Sequence, residues 1–177
     1  MTTQSLLARS LLLALAASAA ACVNVQESTT TLDAPAETTF KPMGDFLIRR
    51  CGTLDCHGQI GRNLRLYGEW GIRLNPMDVP GQSPTTMAEY QADYESVIAL
   101  EPELLSQVVM GQANPQQLRL LGKPMESIMI NGELGPMEHK GGLLIMSTMD
   151  PQYVCVASWL AQNVNTMACQ EATSINP

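Results

Sequence analysis

The sequence predicts a mostly α-helical small domain with long loops, preceded by a signal peptide and a flexible linker. Two segments carry apolar residues at helical spacing behind recognisable cap residues. Alternating polar and apolar residues are confined to two short stretches, and Gly- and Pro-containing segments separate the periodic ones.

Residues 1–21 read as an export signal. Arg9 precedes the apolar run Leu11-Leu-Leu-Ala-Leu-Ala-Ala, and Ser18-Ala-Ala-Ala21 follows. That run is shorter than the roughly 20 apolar residues a membrane-spanning helix needs. Small residues ending in Cys22 resemble a bacterial lipobox, with Ala19 where such boxes commonly carry leucine. Cys22 is therefore expected to be lipidated. Residues 22–42 are rich in Thr and Glu, with little to bury and no period, and read as a tether.

The folded domain is expected over residues 43–170, with a tail over 171–177. Met43–Arg50 predicts a short helix leading into Cys51. Arg62–Tyr67 and Gly71–Asn75 alternate and predict short extended segments, and Pro76–Pro84 a loop. Thr85 or Thr86 caps a helix with Glu89 reaching back, which sets Tyr90, Tyr94, Val97 and Ile98 on one face. A helix from Pro102 carries Leu104, Leu105, Val108 and Val109, and Gly111 ends it. Asp150-Pro151 starts a last helix through Tyr153, Val156, Trp159 and Leu160. No internal repeat is present, so one unit is expected.

Charge narrows the function. Loss of Arg9 with the signal leaves 9 basic against 17 acidic residues, and the formal charge moves from −7 to −8. Such a chain lacks the basic face that nucleic acid demands. It also lacks an electrostatic grip on anionic lipid, so membrane attachment is expected through the lipid on Cys22. The domain is expected to be a monomer. The 5 cysteines make an odd count. With Cys22 assigned to lipid, Cys51 and Cys56 remain to hold a cofactor, and Cys155 and Cys169 to form a disulfide in an oxidising compartment.

Cys51-Gly-Thr-Leu-Asp-Cys56-His57-Gly58 carries the chemistry. A c-type haem needs two thiols to add across its vinyl groups and a neighbouring imidazole to ligate the iron. The usual pattern is C-x-x-C-H, whereas four residues separate the cysteines here. The chain has 2 histidines, so His139 is the other imidazole. A Ser-His-Asp hydrolase has almost no material once His57 is committed to a metal. Gly58-Gln-Ile-Gly61 is too short for a phosphate loop.

Cys56-His57-Gly58 early, His139-Lys-Gly-Gly142 late and Ser158-Trp159-Leu160 at the end of the last helix together resemble exported bacterial cytochrome c-like domains. The resemblance spans residues 43–162. It implies one covalently attached haem c on Cys51 and Cys56, with His57 as proximal ligand. Gly58 would let the chain turn close to the macrocycle. His139 leads as distal ligand, with Met137, Met146 and Met149 as alternatives among 11 methionines that mostly fill cores. Arg62, Arg65 and Arg73 are read as surface ion pairs or as partners of the haem propionates. The implied function is electron transfer between redox proteins by a non-catalytic carrier. It would sit in the periplasm or at the cell surface, anchored to the outer membrane. Two alternatives use the same residues. One is a haemless lipoprotein stapled by Cys51–Cys56 and Cys155–Cys169. The other is a Cys₂His₂ zinc protein built from Cys51, Cys56, His57 and His139.

Overall fold

Residues 31–175 are described by a computed structural model. Among them six α-helices and one hairpin follow in the order α1 (Lys41–Arg50), α2 (Met87–Ile98), α3 (Pro102–Val109), α4 (Arg119–Gly122), β1 (Ser127–Ile130), β2 (Glu133–Pro136), α5 (Pro151–Leu160) and α6 (Thr166–Ser174). The signal at 1–21 and Cys22 lie outside the described residues. No described helix is long and apolar enough to cross a membrane.

The caps form where the sequence puts them. Thr86 Oγ1 accepts the Glu89 N–H, and the Glu89 carboxylate accepts the Thr86 N–H, closing a capping box on α2. Asp150 accepts the Gln152 N–H at the start of α5, with Pro151 in the first turn. Gly111 follows α3 at φ +72°, a left-handed conformation that glycine adopts without strain.

Helix α6 packs against α5 and α1, and α1 also touches α2 and α5. Trp159 is fully buried at their junction. It meets Phe40 and Tyr94 edge-on, with ring centres 5.6 and 6.4 Å away. Met43, Leu47, Leu66, Val97, Leu121 and Leu160 complete the centre of the core. The Cys155–Cys169 disulfide, with Cα atoms 4.7 Å apart, ties α5 to α6 as expected. Ser158 supports the same corner, because its hydroxyl donates to the Cys155 carbonyl and accepts the Asn165 N–H.

Several elements depart from expectation. The tether ends earlier, since the compact unit starts at Leu32. Pro35 and Phe40 are buried, and the Pro35 carbonyl accepts the Tyr94 hydroxyl. The tail is shorter too, because α6 runs to Ser174 behind its Asn165 cap. Arg62–Tyr67 and Gly71–Asn75 form irregular loop rather than strand. The strands lie instead in a hairpin whose register pairs Ile128 with Gly135 and Ile130 with Glu133. Gly135 and Pro136 belong to β2.

Candidate functional site

Helix α1 delivers Cys51 at its C-terminal cap, where the Cys51 N–H reaches the Leu47 carbonyl. The four intervening residues then make a compact turn. The Cys56 and Gly58 N–H groups both donate to the Thr53 carbonyl, and the His57 N–H donates back to the Cys51 carbonyl at 2.8 Å. The longer spacer therefore closes on itself, and His57 leaves the turn next to both cysteines.

Gly58 sits tightly against neighbouring backbone. A Cβ there would lie 2.1 Å from the Gly52 carbonyl oxygen and 2.8 Å from the Gly71 Cα. One on Gly71 would lie 2.0 Å from the same oxygen. Three glycines thus let the cysteine turn seat on the loop at 71, and the Ile72 N–H bond to the Gly58 carbonyl fastens it. Gly52 and Gly71 were not singled out in the sequence, because a close backbone approach leaves no periodic signal.

His139 reaches the site from the loop after β2. Its Nδ1 bonds to the Gly142 carbonyl at 2.9 Å, and its own carbonyl accepts the Gly142 N–H. Gly142 sits at φ +75° to close this turn. A Cβ on Gly141 would come within 2.9 Å of the imidazole. The glycine pair is therefore what lets the ring fold back over its own loop.

The two imidazoles come together. Their ring centres are 6.5 Å apart and their planes only 13° from parallel. His57 Nδ1 bonds to the Leu64 carbonyl at 2.8 Å. Both rings thus commit Nδ1 to a backbone carbonyl and leave Nε2 for another partner, the arrangement that orients metal-ligating histidines. One ion bound by two imidazole nitrogens at about 2 Å each spaces the ring centres by roughly 6 Å. The observed 6.5 Å between ring centres is of that length.

The electrostatics suit a neutral ligand at His57. Burial holds its pKa below the ordinary value against the Leu64 bond, and positive charge on His139, Arg62 and Lys123 pushes the same way. Cys51 and Cys56 are free and half-buried. Burial pushes the Cys51 thiol up to about 12, and Cys56 adds to the shift, which puts the two sulfurs in each other's field. Leu54 and Ile60 beside the cysteine turn, and Leu143 after His139, are exposed apolar side chains. They provide apolar surface on both histidine-bearing loops.

Other expected residues fall elsewhere. Met137 is half-buried, whereas Met146 and Met149 are exposed, and only His139 stacks against His57. Arg73 is neither a surface pair nor a free cation. It is buried in a bidentate pair with Glu89 at 2.8 and 3.0 Å. Arg65 reaches the Tyr67 hydroxyl. Arg62 stays near His57, as does Lys123, which carried no signal in the sequence. Among the described residues no group of three or more His, Cys, Asp or Glu side chains converges as a metal site, so the four zinc candidates do not form a Cys₂His₂ cluster. No protein-family model matches the sequence, no curated protein matches it, and no solved structure matches the fold.

Proposed function

We propose that the protein is an exported, membrane-tethered, c-type cytochrome-like electron-transfer protein that binds one haem c. Cys51 and Cys56 would hold it covalently as thioethers, each S–H having added across a vinyl group. His57 and His139 would ligate its iron, and Cys22 would carry the lipid anchor. The observation that supports this best is the parallel pairing of the chain's two imidazoles, each with Nδ1 tied to a backbone carbonyl. When bound, the haem supplies a one-electron iron couple.

The chain supplies the rest. The Leu64 and Gly142 carbonyls select the tautomer and raise the basicity of each Nε2. Two imidazoles, rather than an imidazole and a thioether, set the couple at a lower potential. Arg62 and Lys123 put positive charge on the His57 side, where carboxylate groups of a cofactor find partners.

The test is the absorption spectrum of the full chain expressed with a haem c maturation system. A red protein whose colour stays with the polypeptide in acid-acetone is expected. A colourless, fully folded product removes the cytochrome reading. It leaves a haemless lipoprotein stapled by Cys155–Cys169.

A further inference from the structure

His57 is held by a four-residue segment that has its own anchor. The His57 ring bonds to the Leu64 carbonyl at 2.8 Å, and the His57 carbonyl accepts the Leu66 N–H at 3.0 Å. The two residues between and beyond face the other way. The Arg65 N–H donates to Ser96 Oγ at 3.0 Å, and the Tyr67 N–H donates to Asp93 Oδ1 at 2.6 Å. Successive residues of 64–67 thus bond alternately to His57 and to α2.

Asp93 is an unusual anchor. It is 0% exposed, and its Oδ2 has no hydrogen-bond partner among the described residues. A buried carboxyl with an unpaired oxygen costs stability, so a native fold that holds one needs a reason for it. We propose that Asp93 and Ser96 are positioning residues for His57, fixing through the backbone of 64–67 the tautomer and orientation in which that ring faces His139. The proposal deepens the haem reading and rests on it for the role of His57 as a ligand.

The charged surroundings give it a pH signature. Glu89, one turn earlier on α2, is the charge bearing on Asp93, and Arg73 from the loop neutralises it, with Asp78 3.9 Å from Arg73. On α1, Lys41 and Asp45 pair with each other and with Tyr90. The Arg65 guanidinium turns to the Tyr67 hydroxyl. Burial pushes the Asp93 carboxyl up to about 8 against the Tyr67 N–H bond, and Glu89 adds to the rise. Asp93 therefore changes charge near pH 8, and the anchor of 64–67 changes with it.

The experiment compares Asp93→Ala, Asp93→Asn and Ser96→Ala in the full chain with the wild type. In red protein, Asp93→Ala is expected to shift the haem spectrum towards high spin and move the midpoint potential, with helical circular dichroism kept. Asp93→Asn retains one carbonyl acceptor and should restore the spectrum. It should also abolish a step in potential that the wild type shows near pH 8. A folded Asp93→Ala protein with wild-type spectrum, potential and pH profile overturns the proposal. Should Asp93→Ala fail to fold, Ser96→Ala and Asp93→Asn carry the same comparison, and wild-type behaviour in both overturns it. If the chain is colourless, the haem reading fails by itself, and positioning is read from ¹⁵N spectra of the imidazoles. Asp93→Ala should then change the tautomer balance of His57, with Asn restoring it, and an unchanged His57 rejects the proposal.

Discussion

His57 and His139 face each other, yet their substitutions should differ in kind. His57 emerges from the turn that carries both cysteines, and its backbone bonds to Cys51 and Leu66 hold that turn. On the proposed haem reading, His57→Ala removes the proximal ligand beside the two cysteines and should sharply lower the yield of haem-loaded protein. His139 stands on a separate loop closed by its own bond to Gly142. His139→Ala should leave the haem attached, change the spin state and shift the potential as water or Met137 enters the vacant position. Spectra and redox titrations of both variants check this, and an unaltered His139→Ala spectrum sends the search to Met137, Met146 and Met149. A third side chain sets acid stability. Burial works against the Glu89 carboxylate, but bonds from Arg73, Thr86 and Leu74 outweigh it and bring its pKa down to about 2, from an ordinary 4.5. The folded state therefore gains stability from this group above about pH 4.5 and loses it as pH falls towards 2. Glu89→Gln strands the Arg73 guanidinium in the core and should cost about 3–5 kcal/mol at neutral pH. Its loss of stability over that acid window should be smaller than the wild type's, as urea unfolding at several pH values would report.

At the scale of elements, sequence and structure agree wherever a local signal is strong. The Thr86 box and the Asp150-Pro151 start each combine a capping side chain with a fixed offset, Gly111 supplies a left-handed stop, and each opens or closes the helix it marks. Cys51, Cys56, His57 and His139 stood out as candidates because they are rare residues in short motifs. Helix α6 was not legible, because its buried stripe consists only of the small residues Ala168, Cys169 and Ala172, and it is held by packing and the disulfide. The hairpin did carry a signal, since Asn131-Gly132 at φ +52° and +84° is a two-residue turn of the type such dipeptides favour. The seat under the attachment turn was invisible, because it depends on Gly52, Gly58 and Gly71 meeting across the chain. Two predictions belong here. Cys155→Ser with Cys169→Ser should lower stability by about 2–4 kcal/mol and loosen α6 first, as hydrogen exchange would show. Gly71→Ala drives a methyl into the Gly52 carbonyl and should cost about 1–3 kcal/mol. It should also reduce haem attachment by displacing the turn, whereas Gly135→Ala, with no atom nearer than 4.0 Å, should leave attachment unchanged. Equal attachment in the two variants would separate the glycine seat from the site.

For the whole molecule, the proposed anchor and the net charge act in opposite directions. The compact unit begins at Leu32, so nine residues, 23–31, lie between Cys22 and the folded domain. Nine residues reach at most about 32 Å. A domain lipidated at Cys22 is thus confined close to the bilayer, while the formal charge of −8 that remains without Arg9 repels anionic headgroups. Electrostatics then contributes nothing to retention, and the lipid must supply all of it. A single acyl chain binds a membrane only marginally, so stable anchoring requires the multiple chains of a lipidated cysteine. Wild-type protein should accordingly stay with membranes through a high-salt wash, since screening removes repulsion rather than attraction. Cys22→Ser should move the protein into the soluble fraction with its spectrum intact, because the haem-site residues all lie beyond residue 50. Fractionation of both proteins in low and high salt checks this. A Cys22→Ser protein that still pellets would place the attachment in another part of the chain, and release of the wild type by salt alone would identify the attachment as electrostatic.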